Sequence, residues 1–390
     1  MIRKIIIIFI LILNISIYSE ATNTVLENQQ EQLNISGFIE EANKYSDEVF
    51  PDINIGEILD SAISGSIDNE KIYKGILNLL GSEIIDSIRV LGKILIIIII
   101  HSVLKSISEG LENKSVAQII YYAQYILIVT IVMSSFADIL SMVNDTVQNL
   151  MAFMNSLIPI LITLMLTTGS IVSASVIQPI ILFSITLIGN IISNAIIPIL
   201  LVSTVFSIIS NISDKVQIDK LSKFFKSSIV WVLGIMLTVF VGILSIEGTL
   251  GSSVDGITAK TAKAAVSNVI PVVGKVLGDA TDVVLGCAMI LKNAVGIVGL
   301  IIILSICITP IIKLSLLSII YNLMSAMCEP IADKPIVSLL EKIGDTFKIL
   351  LGIVFAISTM LMIGITIVLK MSNSSMMYRW KEKVLDDCMA

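Results

Sequence analysis

Lys275, Asp279 and Asp282 stand at positions i, i+4 and i+7 of the segment Thr258–Leu300. On one helix this spacing lets Lys275 pair with Asp279 and leaves Asp282 for a partner elsewhere. Drawn at 100° per residue, Asn268, Pro271, Lys275, Gly278, Asp279, Asp282, Gly286, Met289 and Asn293 fall within about 60° of one direction. Val273, Val276, Leu277, Ala280, Val284 and Leu291 take the other side. Charged side chains at bilayer depth must face protein or water. The stripe is therefore either a pore lining or an ion or proton relay, or a self-neutralising pair on a helix at the membrane surface or inside a bundle. Gly274 and Gly278 form a GxxxG, and Gly286 continues the four-residue step through Asp282, a spacing that lets two helix backbones approach closely.

The elements that carry this stripe are membrane elements. The chain has 390 residues, 55% hydrophobic and 14% charged, with mean hydropathy +0.97; soluble domains carry roughly 25% charged residues. The expected fold is all-α, a polytopic membrane helix bundle. Arg3 and Lys4, the apolar run Ile5–Leu13 and small residues near Ser19 and Ala21 read as a signal peptide over 1–21. Residues 22–87 read as an exported, polar, helical region, 88–370 as a multi-spanning membrane domain, and 371–390 as a short polar tail. From Glu20 to Asp86 there are 14 acidic residues against Lys44, Lys71 and Lys74, and the remainder of the chain is net basic. That asymmetry follows the positive-inside rule.

Spans are expected at Ile88–Ser106, Val116–Asp138, Leu150–Thr168, Ile229–Ile246 and Phe347–Leu369, each near the length of a bilayer core. Ala174–Ser210, interrupted by Asn190, Asn194 and Pro198, and Ala294–Met327, interrupted by Pro310 and Lys313, are too long for one simple crossing. The loop Asp214–Lys226 holds four lysines and should be cytoplasmic. Reaching it from an exported residue 87 takes an odd number of crossings, which predicts that Ala174–Ser210 folds as two arms. The tail, with Lys370, Arg379, Lys381 and Lys383, is expected on the cytoplasmic side if Ala294–Met327 crosses once. Thr163, Thr167, Thr168, Gly169, Ser170, Ser173 and Ser175 suit a tight turn.

Other chemistry is thinly represented. His101 is the single histidine, with no Cys, Asp or Glu at ligand spacing. Cys287, Cys307 and Cys328 lie in apolar segments and read as small buried hydrophobes. No P-loop, GxSxG, HExxH or basic aromatic patch occurs. The expectation is a non-enzyme without cofactor or metal, with the lipid bilayer as a partner and no nucleic acid.

The block from Ala259 to Leu300, AKTAKAAVSNVIPVVGKVLGDATDVVLGCAMILKNAVGIVGL, resembles the signature of the stage III sporulation protein AE family. Met154–Leu182, MNSLIPILITLMLTTGSIVSASVIQPIIL, resembles a second block of that family. The resemblance implies a multi-pass component of a mother-cell complex that joins mother cell and engulfed forespore. Such a complex acts as a channel or transport apparatus for forespore development and late sigma-factor activity. It implies as partners other stage III sporulation membrane proteins, a cytoplasmic ATPase and ring-forming subunits, and it assigns no catalytic residues. If the stripe lines a path or seats a subunit, replacing Asp279 and Asp282 together by Ala stops sporulation or complex assembly. Normal spore counts and an intact complex in the double variant would refute that role.

Overall fold

Apolar runs this long have one way to satisfy their backbone in lipid, and that is to stay helical. The computed structural model describes residue 30 and residues 35–46, 54–64, 69–109, 114–212, 218–269 and 273–389. Along 69–73, 108–109, 114–118, 248–254, 256–269, 273–283 and beyond 371 it describes the helical path alone. The expected signal peptide lies outside the described residues. In chain order the helices are α1 (Ile35–Ser46), α2 (Ile55–Ser64), α3 (Asn69–Glu109), α4 (Lys114–Thr167), α5 (Ile171–Ile191), α6 (Ile197–Ile212), α7 (Asp219–Val269), α8 (Val273–Cys328) and α9 (Lys334–Met389). No strand occurs among the described residues, so the all-α membrane bundle stands. Five stretches are long and apolar enough to cross a membrane: Tyr125–Thr167, Ile171–Ser210, Asp219–Glu247, Val284–Cys328 and Lys334–Met371.

Two span assignments are corrected. Val116–Asp138 and Leu150–Thr168 are not separate spans but parts of α4, one helix of 54 residues, about 80 Å long at 1.5 Å per residue. Ala174–Ser210 does not fold back as two arms. A π-helical turn, Ile192–Ile196, joins α5 to α6. Pro198 has no N–H to donate to the carbonyl four residues before it, and the wider turn just ahead of it lets the helix continue without reversing. Of the five spanning stretches, two (in α4 and α5–α6) precede the basic loop, and the expected span Ile88–Ser106, within α3, is not among the five.

α8 is the centre of the body. It packs along α9 and also meets α4, α3, α2 and α1. Its interior face (Leu291, Val295, Val298, Ile302, Leu314 and Tyr321) is buried, and Pro310 sits inside the continuous helix, so Ala294–Met327 makes one pass as expected. α1 buries Ile35, Phe38 and Ala42 at helical spacing, and α2 buries Ile55, Ile58 and Leu59.

The helix ends give the body a direction. At one end Lys342 Nζ meets Asp219 Oδ1 at 2.8 Å, and Lys226 Nζ donates to Thr346 Oγ1 at 2.8 Å. Lys292 Nζ donates to the Leu369 carbonyl at 3.1 Å, and Leu369 lies about 40 Å along α9 from Lys342. The tail therefore leaves the body at the end away from the basic loop. This corrects the expected shared side, because the three single passes that follow the basic loop, in α7, α8 and α9, end opposite to it.

The small polar cluster does form a tight turn. α4 ends with Gly169 at φ 82°, and Ser170 N–H donates to Met165 O while Gly169 N–H donates to Leu166 O, both at 3.0 Å. That pattern is a Schellman motif, for which glycine has the conformational freedom. Ser170, at the N-cap of α5, makes no side-chain cap bond. The buried Asp255 of α7 takes over, accepting from Val172 N–H at 2.8 Å and Ser173 N–H at 3.1 Å. A carboxylate there satisfies orphan donors and meets the positive end of the helix dipole. Asp255→Ala is expected to lower stability by about 1–2 kcal/mol, read as an earlier thermal unfolding in detergent, with Asp255→Asn losing less.

Candidate functional site

The long path of α4 creates a site that two separate spans could not. Asp138, Ser141, Asp145 and Asn149 recur every three or four residues and share one face of α4. This face borders a cavity of about 500 Å³. α8 supplies Ser305, Ile306, Thr309, Pro310 and Lys313, α3 supplies Glu83, and α1 supplies Lys44 and Tyr45. Lys313 Nζ stands 3.9 Å from Glu83 Oε2. Ser141 Oγ donates to Asp145 Oδ2 at 3.5 Å. Burial, then the neighbouring Glu41 carboxylate, push the Tyr45 phenol's pKa up, which keeps it a neutral donor.

The cleft lies along two of the spanning stretches, α4 and α8, between two packed cross-sections. Phe136 meets Phe347, with ring centroids 6.0 Å apart, and Tyr321 meets Phe347 edge-on at 5.2 Å. Further along, a Cβ on Gly299 would meet both Leu157 and Ile365. These two cross-sections are about 32 Å apart along α4, and the residues from Asp138 to Asn149 lie between them. An acidic, hydroxyl-bearing surface there needs water or a ligand.

The predicted stripe is placed only in part. Asn268 falls near the end of α7; Gly274, Lys275, Gly278, Asp279, Asp282, Gly286 and Asn293 fall on α8. The side chains of Asn268, Lys275, Asp279 and Asp282 lie outside the described residues, as do the surroundings of Gly274 and Gly278. Gly286 is partly buried, and a Cβ added there would meet open space, so it seats no other described helix of this chain. Asn293 is partly buried. The glycines that do bring helices together lie further along α8 and on α5. A Cβ on Gly296 would collide with Leu369, and one on Gly189 with Met151.

Three features escaped sequence reasoning. The cleft was hidden because residues 139–149 read as a polar connection between two spans. Their i, i+3, i+7 and i+11 polar spacing was the available signal. Lys292 is fully buried on α8, a lysine seen in the sequence but given no position. At the basic end, Asp219 binds both Lys223 and Lys342 at 2.8 Å, and Lys226 also donates to the Lys342 carbonyl at 3.3 Å. Ser203, Ser207 and Ser222 share buried hydroxyl contacts of 2.6–3.0 Å beside them. These bonds tie α6, α7 and α9 together. Cys287, Cys307 and Cys328 are buried, as expected.

The sequence profile of stage III sporulation protein AE matches residues 53–372. The chain belongs to that family. It is 28% identical over 314 residues to the stage III sporulation protein AE of Bacillus subtilis (strain 168), covering 80% of this chain and 79% of that protein. No solved structure matches it. The match runs through α2 to the end of the spanning part of α9, so the cleft and the predicted stripe both fall inside the family's region. Within it, Gly296→Leu is expected to destabilise by about 1–3 kcal/mol through overpacking against Leu369, whereas Gly286→Leu leaves the fold intact. Parallel melting curves of the two variants check the contrast, and equal losses would contradict the packing described.

Proposed function

We propose that this chain is the multi-pass membrane component of a channel or transport assembly that joins mother cell and engulfed forespore and serves forespore development and late sigma-factor activity. Membership of a stage III sporulation family and five apolar spanning helices support a membrane role in sporulation. The observation that carries transport is the polar cleft bordered by two of the spanning helices, α4 and α8, with Asp138 and Asp145 on its wall, since charge on a spanning helix points to a path or partner. The partners in this reading are other stage III sporulation membrane proteins, among them a cytoplasmic ATPase that supplies energy and ring-forming subunits that extend the path. The stripe at Lys275, Asp279 and Asp282 would then line that path or hold a neighbouring subunit. The location is the mother-cell membrane around the forespore.

A scaffold that conducts nothing is the second reading. It is favoured by Gly286, which opens to free space on the predicted stripe and would accept a helix from another subunit. Reconstitution separates the two. Transport predicts solute or ion flux through liposomes holding this chain with its partners, reduced several-fold by Asp145→Lys. A scaffold predicts no flux in any combination, with partner recruitment unchanged by the same variant. Saturable uptake by the isolated chain on its own ion gradient would instead show a secondary transporter.

A further inference from the structure

We infer that two copies of this chain pair in the membrane through the outer face of α5–α6, with Asn190 and Asn194 of each copy hydrogen-bonded to the same residues of the other. The inference concerns a face that the transport reading does not use, and it holds whether or not anything is conducted.

Phe183, Leu187, Asn190, Asn194, Pro198 and Leu201 recur every three or four residues, and all six are exposed. At that spacing they form one line along the helix, which the π turn at Ile192–Ile196 continues without a break. The inner side of the same helix is packed: Ile185, Ile188 and Ile192 are buried, and Gly189 lies against Met151 of α4. The exposed line therefore looks away from the body.

Asn190 and Asn194 stand at the middle of the spanning stretch Ile171–Ser210. That stretch has 40 residues, about 60 Å of helix, so an apolar core of about 30 Å laid anywhere along it reaches the middle. A carboxamide there is too short to snorkel to an interface, and acyl chains offer it neither donor nor acceptor. Thr186 and Thr204, on the same stretch, donate back to the carbonyl four residues before. Asn190 and Asn194 make no side-chain hydrogen bond among the described residues. Asparagine on the outside of a spanning helix bonds to another helix.

The chemistry of the face selects a second copy as that helix. A carboxamide carries both donors and an acceptor, so two of them can bond to an identical pair. Copies inserted in one membrane share one orientation. A two-fold axis along the membrane normal then sets α5–α6 parallel to its equivalent, with Asn190 opposite Asn190 and Asn194 opposite Asn194. Apolar residues at alternating steps of four and three, interrupted by asparagine, form the seam of a parallel helix pair, in which the asparagine fixes register and partner number. Ile171–Ser210 holds no charged residue, so nothing in the stretch repels a like face.

The test uses the full-length chain in liposomes, labelled with donor or acceptor fluorophore at Cys388, since Cys287, Cys307 and Cys328 are buried. The lipid-to-protein ratio is raised stepwise, and energy transfer is expected to fall along a monomer–dimer curve. Asn190→Leu with Asn194→Leu is expected to weaken pairing about tenfold, with the helical circular dichroism of the chain unchanged. In a Cys388→Ser background, oxidation is expected to give covalent dimers of Leu187→Cys and of Asn194→Cys. Val239→Cys, on the likewise exposed side of α7, is expected to give none. A chain that stays monomeric at every ratio, full-strength pairing in the leucine double variant, or dimers formed through Val239→Cys instead overturns the inference. Cross-linking of Leu187→Cys in sporulating cells to a different protein and never to itself would give the face to that protein and overturn the second copy as its occupant.

Discussion

A backbone carbonyl or N–H stranded in hydrocarbon has no water to turn to, and the architecture follows from that constraint. Each place where the chain could have broken is instead repaired from within. Ahead of Pro198 the ladder widens into the π turn at Ile192–Ile196 and goes on. The reversal between α4 and α5 closes its carbonyls through the Schellman bonds of Gly169 and Ser170, and its orphan N–H groups through a carboxylate from another helix, Asp255. Most hydroxyls inside the spans bond back to their own helix. Against that background the buried hydroxyls of Ser170, Ser173, Ser193 and Thr309 stand out, because they make no such bond among the described residues.

The same constraint explains what could be read in advance. Composition and run length were enough for an all-α membrane bundle, for the single pass of α8 through Pro310, for the turn near Gly169 and for the buried cysteines. Those features depend on local chemistry alone. Span number failed where a local signal had two structural solutions. Asn190, Asn194 and Pro198 can mark a reversal or a π turn. The polar residues from Asp138 to Asn149 can be a loop or one face of a helix. In each case packing decided: α5 and α6 run on together beside α7, and the polar face of α4 has α8 opposite it. The candidate site was legible only as a principle, that charge at depth needs company. The stripe at Lys275, Asp279 and Asp282 obeys it by sequence position, while the cleft obeys it through four helices far apart in the chain, which no periodicity can align.

Close approach and electrostatics divide the body between them. Away from the basic loop, Gly189, Gly296 and Gly299 allow α5 to meet α4, and α8 to meet α9 and α4, at distances a side chain would forbid. Toward the loop the helices are joined by Asp219, Lys226, Lys342 and the serine contacts. The first kind of contact depends on shape and works in any apolar medium. The second depends on charge-assisted bonds, which suit a helix end where lysine tips can reach the interface.

The cleft lies between these regions, and its four walls are not equivalent. α3, α4 and α8 are long helices whose hydrogen-bond ladders extend well past the cavity in both directions. α1 has 12 residues, a length at which an isolated helix is marginal in water. Its helicity therefore depends on docking, through Ile35, Phe38 and Ala42 and through the ring contacts of Phe38 and Tyr45 with Phe153 at 6.1 and 5.9 Å. Asn43 adds one bond to α2, accepting the Ile55 N–H at 2.9 Å. Folding of α1 and closure of that side of the cleft are consequently one event. Lys44 and Tyr45 reach the cavity only while those few apolar contacts hold, whereas the carboxylates of α4 and the proline of α8 stay in place without them.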